Sequence, residues 1–343
     1  MALSRRHGNL VRLKSPDFYL FISRENLMIK KILAVTATTF AMGLSFAQAQ
    51  EINFGIISTE STQNLKQDWE PLIKDMEKQT GMKVTAFFAP DYAGIIEGMR
   101  FNKVQVAWLG NKSAMEAVDR ASGEVFAQMV NADGTQGYYS HLIVNKDSPH
   151  NTLDDVLKNG KSLSFGNGDP NSTSGFLVPG FYVFAKNKID AKTHFKLTRS
   201  ANHEANALAV ANKQVDVATN NSENLEKIES RYPEKFKSIK IVWTSPLIAL
   251  DPLVIRKDMA EANKTKIKQF FYNYGKTDAR EKEVLMKISK LSGFKQSDNR
   301  QLVPIRQLDL FSQRNKIESD TVISDAVKKE RMALIDKQLA ALN

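Results

Sequence analysis

Short apolar runs alternate with stretches of helical period along most of this chain, and that alternation restricts the fold more than any other feature. Residues 52–57 read as a strand. Residues 64–79 place Leu65, Trp69, Leu72, Ile73 and Met76 at helical spacing and stop at Gly81. Residues 84–88 read as a second strand. Asp91 then caps a helix through Met99, with Ile95, Ile96 and Met99 turned inward. A strand at 105–109, a helix at 113–120 and strands at 125–130 and 139–144 follow. Such a βαβαβ run predicts an α/β fold with a mostly parallel sheet flanked by helices.

The same grammar resumes downstream. It predicts a short helix at 153–157, a strand at 162–165, a helix after Ser174 and another at 203–212. A strand at 215–219, a helix at 222–232 and strands at 239–243 and 253–255 complete it. No low-complexity linker separates the halves. Two α/β lobes are therefore expected, one from 50–139 with 250–310 and the other from 140–249, joined by crossovers near Ser140 and Leu250. Residues 311–343 read as a helical tail. Within it, 319–342 carry Val322, Ile323, Ala326, Leu334, Ile335, Leu339 and Leu342 as an apolar stripe that closes the core or meets a partner subunit.

The start of the chain carries an export signal. Lys30-Lys31 precede fifteen mostly apolar residues, 32–46, and Ala47-Gln48-Ala49 supplies a small-x-small cleavage site. Residues 28–49 thus read as a signal peptide, and 1–27 as an over-extended start upstream of Met28. The apolar run is shorter than the roughly 20 residues a spanning helix needs. Residues 1–49 hold seven of the 48 Lys and Arg and two of the 38 Asp and Glu, so the remainder carries 41 basic and 36 acidic residues, or +5. That mild balance argues against a nucleic-acid partner, which demands a concentrated basic face. The absence of Cys excludes disulfides and thiolate chemistry.

One polar stretch stands apart: Phe165-Gly166-Asn167-Gly168-Asp169-Pro170-Asn171-Ser172-Thr173-Ser174-Gly175-Phe176. A short strand enters a Gly-, Asn- and Pro-rich turn, three hydroxyl residues follow, and an apolar run begins a helix. Hydroxyls beside the unpaired N–H groups of a helix start form an anion site. No Lys or Arg lies between Lys161 and Lys186, so neutral dipoles would hold the anion, which suits capture better than cleavage. An ordinary turn with a Ser or Thr cap explains the same residues. Dinucleotide, P-loop and Gly-x-Ser-x-Gly motifs are all absent. Other polar clusters expected beyond strand ends include Ser58-Thr59-Glu60, Asp91-Tyr92, Gly110-Asn111, residues 220–223 and Asp251.

Four blocks carry a family resemblance: Asn53-Phe54-Gly55-Ile56-Ile57-Ser58-Thr59-Glu60-Ser61, Phe87-Phe88-Ala89-Pro90-Asp91-Tyr92-Ala93-Gly94-Ile95-Ile96, residues 165–180 and residues 205–221. They resemble the periplasmic substrate-binding proteins of phosphonate ABC transporters. The resemblance runs from about residue 51 to Phe311 and weakens at 284–299 and in the tail. It implies a two-lobe periplasmic binding protein of type II, the Venus flytrap, without catalytic activity or cofactor. It also implies a phosphonate ligand, with 2-aminoethylphosphonate favoured, a permease partner in the inner membrane and a homodimer through the C-terminal helix.

Matching blocks imply that phosphonate oxygens meet Ser172, Thr173 and Ser174, with Tyr138 and His203 beside them. The ammonium is implied to meet Glu223 and Asp251, with Tyr92 close by. Each residue has an ordinary role on local sequence alone. Glu223 is an acid in a helix's first turn, Asp251 precedes Pro252 in a turn, His203 caps a helix or fills a core, and Tyr92 and Tyr138 are half-buried aromatics. Two other readings stay open: an enzyme on the same fold, and a binder of phosphite, phosphate or plain alkylphosphonates.

Overall fold

The computed structural model describes residues 51–342. The expected over-extended start at 1–27 and signal peptide at 28–49 lie outside the described residues. In chain order the strands are β1 (Glu51–Ile56), β2 (Lys83–Phe88), β3 (Val106–Trp108), β4 (Gly123–Asn131), β5 (Gly137–Tyr138), β6 (Ser140–Asn145) and β7 (Ser164–Asn167). They continue as β8 (Leu197–Ser200), β9 (Val217–Asn221), β10 (Ile239–Thr244), β11 (Ile248–Ala249), β12 (Pro252–Arg256) and β13 (Leu291–Gln296).

Two larger sheets form, in the orders β13-β4-β12-β3-β1-β2 and β10-β6-β9-β7-β8. Both are mixed, which corrects the expectation of mostly parallel sheets. Strands β2, β1 and β3 are parallel, as the βαβαβ pattern demands. Strand β12 instead inserts between β3 and β4, antiparallel to both. The reason is topological. The chain leaves the first sheet after β4, builds the second sheet, and comes back from the far side. The outgoing and returning passages lie against each other as the antiparallel pair β5–β11.

Local sequence sets the helices. Ser61 caps the helix Thr62–Thr80 by accepting from the Asn64 N–H, and Gly81 ends it at φ 69, where a side chain would be strained. The inward face of that helix buries Trp69 against Phe54 and Trp108. In the second sheet, alternation divides the core in two. Leu142, Val144 and Val217 face one cluster with Phe165, Phe184 and Phe195, while Ile143 and Ala218 face another with Ala207, Val210, Leu225 and Ile228.

The tail also departs from expectation. The helix Val303–Ser319 ends, and a separate helix Asp325–Ala340 starts under the cap of Ser324. The expected stripe is divided, because Ile335 is buried whereas Val322 and Leu334 are exposed. Asp320 accepts from the Val322 N–H and forms the intervening turn.

Candidate functional site

The parallel strands aim their carboxyl ends at a common cavity. Ile57 follows β1, Trp108 and Gly110 end or follow β3, Ser172 follows β7, and Asn221 ends β9; all line it. Helix starts converge there as well. Tyr92 opens the helix Tyr92–Arg100, Gly110 precedes Asn111–Arg120, and His203 opens His203–Ala211. Asn221 caps Ser222–Arg231, and Ser172 caps the wide π-helical turn Thr173–Leu177. Each start brings a positive dipole end to the cavity, so their convergence favours an anion.

All eight candidate residues line this cavity: Tyr92, Tyr138, Ser172, Thr173, Ser174, His203, Glu223 and Asp251. It measures about 40 Å³. Since one water occupies roughly 10–15 Å³ on this scale, the space suits a ligand of few atoms.

The hydroxyl cradle is held by backbone. Ser172 Oγ accepts from the Gly175 N–H at 2.9 Å and lies 3.4 Å from His203 Nε2. Thr173 Oγ1 accepts from the Lys112 N–H at 2.8 Å, a contact from the second-sheet side to a helix beside the first sheet. Ser174 Oγ accepts from Asn221 Nδ2 at 3.0 Å, and its carbonyl accepts from Ser140 Oγ at 2.6 Å. Gly168 and Gly175 are required by close approach. A Cβ at Gly168 would sit 2.5 Å from the Gly175 carbonyl group. The glycines therefore bring the turn onto the helix start.

Burial lowers His203 to about 4, so its imidazole is neutral at neutral pH. Its Nδ1 is buried with no partner. Ser172 and His203 thus make a poor nucleophile–base pair, because no acid orients the ring and the base is weak. Lys227 lines the cavity, but its Nζ is committed to Glu60 at 2.8 Å and Asp68 at 2.9 Å. The hydroxyl end therefore relies on neutral dipoles.

Two acids occupy the same cavity. Asp251 is 7% exposed and accepts from Trp108 Nε1–H at 3.0 Å and the Tyr138 hydroxyl at 3.4 Å. Burial, then the charge of Glu223, holds its carboxyl well above the usual range, against the pull of those two donors. Glu223 is half-buried by exposed surface yet crowded by protein, and burial pushes it up to about 7, with Lys227 opposing. Ser289, the last residue of the helix Ala279–Ser289, lines the cavity together with Glu223. A helix end of negative sign thus stands at the acid side. Tyr92 and Tyr138 are pushed well above the ordinary phenol value, first by burial and then by neighbouring acids, and remain neutral hydroxyls.

Sequence reasoning missed Trp108, Asn224 and Lys227 as lining residues. Asn221 lines the cavity as part of the polar run 220–223 expected beyond a strand end. Trp108 read only as part of an apolar strand. Contacts across the cavity mouth were invisible too. Glu60 and Asp68 pair with Lys227 and Arg231. Glu204 accepts from the Ser61 N–H and Asn64 Nδ2, each at 2.6 Å, and Asp169 from the Tyr92 N–H at 3.1 Å.

Two mixed α/β sheets joined by paired crossings, with a cavity at the strand ends, define a type II periplasmic binding protein. The profile of the family described as "ABC transporter, phosphonate, periplasmic substrate-binding protein" matches residues 54–302. The chain belongs to that family. It is 58% identical over 324 residues to the phosphonates-binding periplasmic protein of Escherichia coli (strain K12), covering 92% of this chain and 95% of the relative. A crystallised binding-protein component of an ABC phosphonate transporter from Pseudomonas aeruginosa is 57% identical, with a TM-score of 0.84 over 86% of this chain and 97% of that one. PhnD1 of Prochlorococcus marinus (MIT 9301), solved in complex with methylphosphonate, shares the fold at 22% identity and a TM-score of 0.68, over 76% and 97% of the two chains.

Proposed function

We propose that this protein captures phosphonates in the periplasm, favours 2-aminoethylphosphonate, and delivers it to an ABC permease in the inner membrane. The observation that carries this reading is one cavity holding an uncharged hydroxyl and dipole cradle together with two raised carboxyls. 2-Aminoethylphosphonate is a short zwitterion with complementary ends. Its phosphonate suits Ser172, Thr173 and Ser174 with Tyr138 and His203. Its ammonium suits Glu223 and Asp251 with Tyr92, and supplies the charge that buried acids lack.

Capture proceeds by closure of two lobes, 50–139 with 250–310 against 140–249, about the β5–β11 passages. The contacts of Thr173, Asp169, Glu204 and the Glu60–Asp68–Lys227–Arg231 group across the mouth support this motion, since they would form only on closing. Residues 28–49 direct export and are removed. The exposed Phe311, Val322 and Leu334 of the tail support a homodimer. The protein acts without catalysis, in keeping with the weak Ser172–His203 pair.

Thermal melting tests the reading. At ligand a hundredfold above Kd, linkage adds about 2.7 kcal/mol. 2-Aminoethylphosphonate should raise the melting temperature clearly and sulfate hardly at all; equal shifts for both would sink the assignment. Turnover of a phosphonate or phosphate ester would favour an enzyme instead.

A further inference from the structure

Outside the eight residues, two side chains that line the cavity have polar ends that bond to nothing. Asn224 is 4% exposed and lines the cavity, yet neither Nδ2 nor Oδ1 has a partner. Thr59 lines the opposite wall, after β1, and its Oγ1 is buried and equally unpartnered. Buried amides and hydroxyls are almost always hydrogen-bonded, because leaving them dry wastes the hydration they lost.

Their backbones are fixed by the same contacts that shape the site. The Asn224 N–H donates to Asn221 Oδ1 at 2.7 Å, and Asn221 Nδ2 in turn donates to Ser174 Oγ. Asn224 is therefore held between the hydroxyl cradle and Glu223, its neighbour on the same helical turn. The Thr59 carbonyl accepts from the Glu204 N–H at 3.2 Å, beside His203. Backbone so well anchored with polar side-chain ends left free is the arrangement of a preorganised binding site.

We propose that Asn224 and Thr59 are ligand-binding residues in addition to the eight, each completing its hydrogen bonds on the bound phosphonate. This rests on the phosphonate reading above. Asn224 is both donor and acceptor, so it serves a phosphonate oxygen or an ammonium N–H, while Thr59 reaches the ligand from the other wall. Together they let the cleft sense the ligand from both sides.

The test is calorimetric titration and melting of Asn224→Leu and Thr59→Val, which keep shape and remove the polar ends. The probes are 2-aminoethylphosphonate and ethylphosphonate. Both variants should bind 2-aminoethylphosphonate about tenfold more weakly, while the ligand-free proteins melt no lower than wild type, because an unpaired buried group has been removed. Equal loss for both probes assigns the contact to the phosphonate, and loss confined to the amine assigns it to the ammonium. Affinity unchanged within twofold overturns the proposal, and a retained loss in Thr173→Ala then leaves the phosphonate reading standing. Both variants melting well below wild type without ligand would make the groups structural and also overturn it. Wild type that binds neither probe removes both readings together.

Discussion

Trp108 donates its indole N–H to Oδ2 of Asp251 at 3.0 Å, from a ring stacked on Trp69 with centroids 5.0 Å apart. The acid at the return of the chain is thereby tied to the core of the first sheet. A donor of this kind favours the ionised carboxyl and opposes the burial that raises it.

Trp108→Phe keeps the stacked ring and removes the donor. A hydrogen bond to a charged group contributes about 1.5–3 kcal/mol. Titration should show 2-aminoethylphosphonate weakened by about tenfold or more and ethylphosphonate by much less. An equal loss for both ligands would mean that the indole shapes the whole cleft and does not tune the acid.

The raised acids make the ligand-free protein sensitive to pH. A carboxyl whose folded value lies above its unfolded value holds its proton more tightly when folded, so stability falls as pH rises through that interval. For Glu223 the interval runs from 4.5 to about 7. His203, lowered from 6.5 to about 4, acts oppositely there, since its neutral folded form loses stability as pH falls below 6.5. Above 6.5 the acids act alone. Chemical denaturation from pH 6.5 to 8 should therefore show wild type losing stability more steeply than Glu223→Gln. Parallel curves would place the Glu223 proton elsewhere.

Ligand should release that proton. Bound ammonium lowers both acids, so titration of 2-aminoethylphosphonate at pH 6.5 in buffers of different ionisation enthalpy should report more protons released by wild type than by Glu223→Gln. The ligand's own phosphonate proton is common to both titrations and cancels in that comparison. Equal proton counts would show that the ammonium does not reach Glu223.

Asp68 lies outside the cavity but binds Lys227 at 2.9 Å and Arg231 at 2.5 Å from across the mouth. Breaking a well-buried pair costs about 3–5 kcal/mol, and the partial exposure of these bases reduces that to about 1–2 kcal/mol. Asp68→Asn should weaken both ligands alike, by roughly tenfold, because it acts on closure and not on recognition. Selective loss of one ligand would give Asp68 a role inside the site.

The tail prediction follows from its division into two helices. Removing residues 321–343 takes away Val322 and Leu334 and leaves the helix Val303–Ser319. Light scattering should show full-length dimers become monomers that still bind ligand. Full-length protein that is already monomeric at micromolar concentration would remove the dimer proposal.

The alternation of apolar runs was enough to place most strands and helices, because period and capping are local. Sheet direction was not, since nothing within β12 says that it inserts between β3 and β4 from the far side. Strand β13 was unreadable for another reason. Its sequence, Leu-Ser-Gly-Phe-Lys-Gln, alternates weakly and gains its place by pairing with β4. The site divides in the same way. Hydroxyls clustered at one helix start announce an anion cradle, whereas Glu223 and Asp251 are 28 residues apart and become a pair only when the two sheets are brought together. The family blocks supplied them; local chemistry could not. Thr59 was legible as part of the polar run Ser58-Thr59-Glu60 beyond a strand end, whereas Asn224 carried no signal; that their polar ends lack partners shows only in the folded structure.

Two-ended recognition is tested most directly by titrating Glu223→Gln and Asp251→Asn with 2-aminoethylphosphonate and ethylphosphonate, beside Thr173→Ala. Removing one partner of a buried charge pair costs about 2–5 kcal/mol, or roughly 30-fold and upward at about 1.4 kcal/mol per decade. The amide variants should lose that much for 2-aminoethylphosphonate and keep or improve their affinity for ethylphosphonate, whose methyl end no longer faces an unpaired acid. Thr173→Ala should weaken both ligands alike. Equal loss of both ligands in the amide variants would contradict the account, making the carboxyls structural even in a protein that binds phosphonates.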